Sequence, residues 1–156
     1  MLELLSKNID LKINDNHRYL FEQYKLFVDL ADKISQRRAT NNNFFISVNA
    51  ALLTIAAWIK DSFGNYMYLI SFIGIVISLF WFLSIRSYKQ LNTGKFKVIH
   101  ELEKLLPAQM FSYEWEILGK GKRLNNYYPI SHIEMVIPFI FILLYIALSL
   151  FICFKL

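Results

Sequence analysis

The sequence predicts an all-α integral membrane protein with three transmembrane helices, the first two forming a hairpin with long cytoplasmic helical extensions. Three observations carry this prediction. Hydrophobic residues are 56% of the 156, and aromatics 17%, above the roughly 45–50% apolar share of a soluble domain. The excess falls in three blocks without a charged residue, 44–59, 66–85 and 135–154. The second and third match the roughly 20 residues that cross a ~30 Å hydrocarbon core, and the first reaches that range if it starts at the uncharged Asn43. Finally, lysine and arginine alternate in density around the blocks: seven before the first, one between the first two, eight before the third and one after it.

By the positive-inside rule, that alternation puts residues 1–42 and 86–134 in the cytoplasm and the connection 60–65 and residues 155–156 outside. The predicted order is a cytoplasmic amphipathic helix over 1–42, spans at 43–59, 66–85 and 135–154, and a cytoplasmic helical region over 86–134. The expected location is a membrane crossed several times, with the N-terminus cytoplasmic and the C-terminus external. The net charge of +5 then reflects topology, and no nucleic-acid partner is expected. The first forty residues alternate charge and hydrophobe, without the apolar core of a cleavable signal.

The first helix is expected to begin after Asp15, a capping residue. Leu20, Tyr24, Phe27, Ala31 and Ile34 fall on one stripe, joined by Phe21 and Val28, with Glu22, Lys25, Asp29 and Lys33 elsewhere, the pattern of an amphipathic helix. No proline or glycine intervenes between Asp15 and Gly64. One helix from about Asn16 to Ile59 would be ~65 Å long, longer than a bilayer, so about half of it projects into the cytoplasm. Gly64 and Asn65 suit the helix end and turn of a tight connection.

The second span is predicted to continue as a helix to Leu106, before Pro107. It bears an apolar face of Leu91, Val98, Leu102 and Leu105, with Gly94 as a weak point. Residues 108–118 form a short helix candidate ended by Gly119. Residues 119–126 are a basic loop, and 127–130 read as extended. Ser131 and Glu134 match a capping box ahead of the third span, which carries Pro138 and should kink there.

No nucleophile–base pair, phosphate loop, dinucleotide motif or zinc motif is present, and no cofactor or metal is expected. Cys153 is the sole cysteine and reads as a small apolar residue facing lipid. Glu101 and Glu103, two apart on a helix, diverge and read as a solvated face. Lys120, Lys122 and Arg123 could touch anionic lipid headgroups.

The informative polar residues lie in the first span. Thr40, Asn43, Ser47, Ala50 and Thr54 recur at spacings of three and four, and Asn42 and Asn49 form a neighbouring line. An amide against lipid is costly, so these faces should meet protein or water. Asn42, Asn43, Ser47, Asn49 and Thr54 are therefore candidates for an oligomer interface or a pore lining. Ser71, Gly74 and Ser78 in the second span form a small-residue strip expected to pack against a helix. The third span, with Tyr145 and Ser149 as its polar members, reads as a lipid-facing outer helix. Unsatisfied faces on one thin subunit predict self-association in a ring. The expected partners are copies of the chain itself and membrane lipid, and nothing in the residues identifies another protein.

Residues 24–49 (YKLFVDLADKISQRRATNNNFFISVN), then Trp81, Ser87-Tyr88, Leu91-Asn92, Lys95-Phe96, Glu101-Leu102-Glu103, Leu106-Pro107, Glu114-Trp115, Ile133-Glu134 and Pro138, in that order and spacing, resemble the RipA-like small octameric membrane proteins of bacteria. The resemblance implies a three-span subunit of the bacterial inner membrane that assembles into a homo-octamer without known catalysis, and the function expected of the chain is a non-catalytic scaffold or channel-like assembly. The first hairpin is also similar to the two-span SLATT effectors. That likeness implies the alternative of a pore-forming membrane effector in nucleotide-signalled bacterial defence, although the third span and the Glu114-Trp115 segment depart from that pattern. A lipid-acting membrane enzyme finds least support in the residues.

Overall fold

The computed structural model describes residues 13–59, 64–121 and 130–155. Within them every regular element is helical. The helices are α1 (Ile13–Ile59), α2 (Gly64–Glu103), α3 (Met110–Ile117) and α4 (Ile130–Lys155), with a single 3-10 turn at Gly119–Gly121. Residues 60–63 of the expected 60–65 connection, residues 122–126 of the basic loop and residues 127–129 of the expected 127–130 extended stretch lie outside the described residues, as do residues 1–12.

α1 is one unbroken helix of 47 residues, about 70 Å long at 1.5 Å per residue, as the absence of proline and glycine dictates. Its start differs from the sequence expectation. The helix is already under way at Ile13, so Asp15 lies within it and does not cap it. Likewise Gly64 and Asn65 are the opening residues of α2 rather than the turn before it. α2 passes through Gly94 and ends at Glu103, with turns leading to Pro107. α3 covers the middle of the 108–118 candidate. Gly119 follows in the left-handed region at φ 67, where glycine avoids the Cβ penalty. α4 takes in Ile130 and Ser131, so Ser131 is not the flanking residue of a capping box. The Glu134 carboxylate turns instead to the Arg38 guanidinium on α1, Oε2 to Nε 3.2 Å. A full positive charge is a stronger partner than a backbone N–H. Pro138 is buried inside α4, which is helical on both sides of it.

The chain divides into two compact units, Met1–Ser35 with Gln90–Tyr128, and Gln36–Lys89 with Pro129–Leu156. In the first unit, Tyr24 and Ala31 of α1 bury against Ile99 and Leu102 of α2. Leu20, Phe27, Val28, Phe96, Val98, Leu106 and Phe111 pack around them. Of the expected stripes, Phe21 and Leu91 are the members left exposed. Phe21 is about half exposed, with the Lys25 ammonium 4.7 Å from its ring centroid, and Leu91 is likewise exposed.

In the second unit, α1, α2 and α4 come together along narrow seams. α2 contributes Met67, Ser71, Gly74, Ser78, Trp81 and Ile85, all buried, at spacings of four, three, four, three and four, one face of a helix. Trp81 is fully buried, stacked at 8° on Phe45 with centroids 5.9 Å apart, and tilted against Phe141 of α4. The outward faces are apolar: Leu69, Phe72, Leu79, Phe80 and Leu83 on α2, and Phe139, Ile140, Leu143, Leu144, Leu150 and Phe151 on α4 are exposed. A surface of that extent would be an aggregation liability in water and suits acyl chains.

Among the described residues, two helices are long and apolar enough to cross a membrane, α2 within Tyr66–Glu103 and α4 over Ile133–Phe151. In α2 the charge-free part is 66–85, and charges begin at Arg86. α1 is not one of the two: Asn41, Asn42, Asn43, Ser47, Asn49 and Thr54 dilute its apolar run.

Candidate functional site

The polar residues of α1 divide between two opposite faces. On the inner face, Asn49 is fully buried and joins three helices. Its Nδ2 donates to the Phe45 carbonyl at 2.8 Å. Its Oδ1 accepts from the Ser78 hydroxyl on α2 at 3.2 Å and from the Tyr145 hydroxyl on α4 at 3.1 Å. The Tyr145 hydroxyl also lies 3.3 Å from the Asn49 carbonyl oxygen. Two turns earlier, buried Asn42 accepts at Oδ1 from the Trp81 indole N–H at 2.9 Å, and Asn41 Nδ2 donates to the Ser84 hydroxyl at 2.9 Å. These amides find partners within one subunit. Each such interhelical bond contributes on average about 0.6 kcal/mol inside a membrane, and leaving the amide bare would cost more.

The close fit depends on Gly74. A Cβ added there would clash with the hydroxyl-bearing edge of the Tyr145 ring, so the missing side chain is what admits the ring to Asn49. Ser78 is a donor in this cluster. Ser71, one turn from Gly74, is buried with no hydrogen-bond partner for its hydroxyl among the described residues. Tyr145, read from the sequence only as one of two polar residues on a lipid-facing helix, is the fully buried contact of α4. A lone tyrosine near the middle of an otherwise apolar span was the available signal, because its hydroxyl must find an acceptor there.

The outer face carries Thr40, Asn43, Ser47, Ala50, Thr54 and Ala57, all exposed on the single subunit. Ser47 lies about 160° around the helix from Asn49 at 3.6 residues per turn. The hydroxyls are satisfied within α1: Thr40 donates to the Gln36 carbonyl at 3.1 Å, Ser47 to Asn43 at 2.9 Å and Thr54 to Ala50 at 2.9 Å. Such hydroxyls tolerate a dry contact. The exposed Asn43 amide, richer in donors and acceptors, has more hydrogen-bonding capacity to meet. Thus, of the five candidate interface or lining residues, Asn42 and Asn49 face inward, and Asn43, Ser47 and Thr54 face outward.

In the first unit the sequence reading of Glu103 needs correction. Glu103 is fully buried rather than part of a solvated face. Its Oε1 accepts from the Phe111 N–H at 2.8 Å and the Tyr24 hydroxyl at 3.1 Å. Its Oε2 accepts from the Ser112 N–H at 2.9 Å and the Ser112 hydroxyl at 2.8 Å. The carboxylate thereby caps α3 from a distance, meeting N–H groups that its first turn leaves open. Burial pushes the Glu103 carboxyl upward, but the donors from Phe111, Ser112 and Tyr24 outweigh it and hold the group below the usual carboxylate range. Burial, reinforced by the Glu103 carboxylate, pushes the Tyr24 phenol up to about 12. No spacing rule linked residue 103 to 111 and 112. The eight-residue gap spans the turn that folds α3 back.

His100 Nδ1 stands 2.9 Å from the Ser112 hydroxyl oxygen and 3.6 Å from Glu103 Oε2. Serine, histidine and carboxylate are thus close together, but one imidazole nitrogen faces both partners and the hydroxyl proton goes to Glu103. A nucleophilic relay places the ring between hydroxyl and carboxylate, so the geometry is that of a cap. Glu101, by contrast, pairs with Lys104 at the surface, 2.6 Å. Among the described residues no three His, Cys, Asp or Glu side chains cluster to hold a metal. Of the basic trio, Lys120 is exposed, in the left-handed region at φ 55 and paired with Glu116 at 3.2 Å. Lys122 and Arg123 lie outside the described residues.

No curated protein and no solved structure matches the chain. The model of a family of membrane proteins that are octameric by name matches residues 21–154, which include every side chain of the two hydrogen-bonded clusters. With apolar helices fit to cross a bilayer and amides sheltered between them, the chain belongs to the octameric membrane protein family (8xMP).

Proposed function

We propose that the chain is the subunit of a non-catalytic homo-octamer of the bacterial inner membrane. It crosses the bilayer three times, through α1 from about Asn43, α2 from Tyr66 and α4, with its N-terminus in the cytoplasm. The outer face of α1 meets neighbouring copies, or water enclosed by them. The family supports an octamer, and the distribution of lysine and arginine supports the topology.

The observation that carries this reading is the opposition of two polar faces on one helix. The amides at 42 and 49 are spent inside the subunit, while Asn43, Ser47 and Thr54 remain outside on a face of small residues. Small hydroxyl-bearing faces allow membrane helices to approach closely. With each hydroxyl bonded to its own helix, a packed scaffold contact suits this face better than an open conducting lumen.

The test is the particle mass of the nanodisc-reconstituted protein, compared with the Ser47→Leu/Thr54→Leu variant, alongside conductance in planar bilayers. Eight copies for the natural chain and smaller particles for the variant are expected. Unchanged mass with altered conductance would move the face to a pore lining and favour the effector-like reading. If mass and conductance are both unchanged, the outer face has no such role.

A further inference from the structure

We propose that α1 has a flexible point over residues 43–54, about which its C-terminal end moves while Asn41 and Asn42 stay pinned to α2.

A helix carbonyl that accepts a second donor divides its capacity between that donor and the N–H of its own ladder. Side chains that bond back to the ladder in this way loosen a helix and let it bend. Among the described residues, six carbonyls of α1 meet a second donor. Ala31 and Gln36 receive the hydroxyls of Ser35 and Thr40. The other four fall close together, from Asn43 to Ala50. Asn43 receives the Ser47 hydroxyl at 2.9 Å, Phe45 the Asn49 amide at 2.8 Å and Ala50 the Thr54 hydroxyl at 2.9 Å. The Asn49 carbonyl lies 3.3 Å from the Tyr145 hydroxyl, which divides one proton between that oxygen and Asn49 Oδ1. In a ladder that joins each N–H to the carbonyl four residues earlier, the N–H groups of Ser47, Asn49, Leu53 and Thr54 therefore share their acceptors.

The placement sets the kind of bending. Loosening one side of a helix would set a fixed kink. Here Asn43 and Ala50 are on one side of α1, and Phe45 and Asn49 lie about 120–160° around the helix from Asn43. A helix loosened on opposed sides bends either way. No proline or glycine lies between Asp15 and Gly64, so the shared carbonyls are the local cause of bending on this stretch.

The anchoring of α1 changes across the same stretch. Before it, directional bonds hold the helix, Asn41 to Ser84 and Asn42 to Trp81. Beyond it, the buried contact is Ala56 against Met67, with Ile70 and Leu148 packed around them. Apolar contact is non-directional and permits sliding that a hydrogen bond does not. α2 offers the contrast: Ser78 gives its proton to Asn49 rather than to its own ladder.

The test is pulsed electron spin resonance on the full-length chain in nanodiscs, with labelled subunits diluted among unlabelled ones. Cys153→Ser removes the only cysteine. Labels at Gln36→Cys and Ala57→Cys, both exposed positions, stand about 31 Å apart on a straight helix. Labels at Leu69→Cys and Ser87→Cys, exposed on α2, stand about 27 Å apart and serve as the reference. The α1 distances should spread more widely than the α2 distances, with a tail below the straight-helix value. Ser47→Ala/Thr54→Val removes two of the second donors and keeps the side chains small, and the tail should be lost. An α1 distribution as narrow as that of α2, or one that the variant leaves unchanged, overturns the proposal. Equilibrium deuterium enrichment at the amides of the natural, unlabelled chain gives a second measurement. Weaker hydrogen bonds hold more deuterium, so Ser47 and Thr54 should be enriched over their neighbours Val48 and Ile55. Equal enrichment would overturn the proposal as well.

Discussion

Replacing Gly74 with alanine sets two physical effects against each other. Alanine is the better helix former by about 1 kcal/mol, so propensity alone predicts a more stable subunit. Packing predicts the reverse. The new methyl would occupy the space of the Tyr145 ring, which must swing away or force α2 and α4 apart. Overpacking of this kind costs about 1–3 kcal/mol. A displaced ring also gives up its hydroxyl contacts with the Asn49 side chain and carbonyl, about 0.6 kcal/mol each on the membrane average. The sum after subtracting the propensity gain is a loss of about 1–3 kcal/mol. Reversible unfolding in bicelles, followed by steric trapping, measures it. Tyr145→Phe should cost about 1 kcal/mol, having lost the hydroxyl alone. In a Tyr145→Ala background Gly74→Ala should cost nothing further, because the methyl then has room. A Gly74→Ala subunit as stable as the natural one, with Tyr145 present, would refute the close-approach argument.

Other consequences follow from the two clusters. Glu103→Gln replaces a buried acceptor by an amide whose NH2 confronts donors, and should cost about 2 kcal/mol; hydrogen exchange at the Phe111 and Ser112 amides should accelerate first. The same carboxyl makes the first unit acid-sensitive. Unfolded glutamate ionises near about 4.3 and Glu103 in the fold lies lower, so the unfolded chain takes up its proton first. The stabilisation is present above that range and lost as pH falls through the folded value, a slope that Glu103→Gln should flatten. Tyr24 acts in the opposite direction. Its contribution is whole below about 10 and lost as pH rises through about 12, so the difference in ultraviolet titration between the natural chain and Tyr24→Phe should fall at the high value. Arg38→Glu and Glu134→Arg should each destabilise the second unit by about 1–3 kcal/mol, as both side chains are mostly buried, and the double exchange should recover most of the loss.

The helices were legible because long-range rules govern them. A run without proline or glycine from Asp15 to Gly64 gives one long α1, and a charge-free run of 20 residues gives an apolar helix. The partners of the polar residues were not legible. Spacing placed Asn42 and Asn49 on one line of α1 and Ser47 and Thr54 on another, but only the packed helices show which line turns inward. The Ser71–Gly74–Ser78 strip announces a close neighbour without saying that it is a tyrosine ring from α4. Glu103 was misread because the rule for residues two apart on a helix describes Glu101 and Glu103 relative to each other. It says nothing of a short helix eight residues later whose open N–H groups draw the carboxylate inward. The capping-box pattern at Ser131 failed similarly, since Glu134 answers to Arg38 on another helix. Local patterns register local partners, and the deciding contacts here lie beyond the next helical turn, 8 to 96 residues apart in sequence.

The central claim is that the outer polar face of α1 is covered in the assembled protein while the outer faces of α2 and α4 meet lipid. Spin labels at Ser47, Thr54, Phe72 and Leu143 in reconstituted octamers, read for oxygen and water-soluble relaxant accessibility, test it most directly. Oxygen, enriched among acyl chains, should relax the labels at 72 and 143 strongly and those at 47 and 54 weakly. Labels at 47 and 54 as oxygen-accessible as the label at 143 would contradict it.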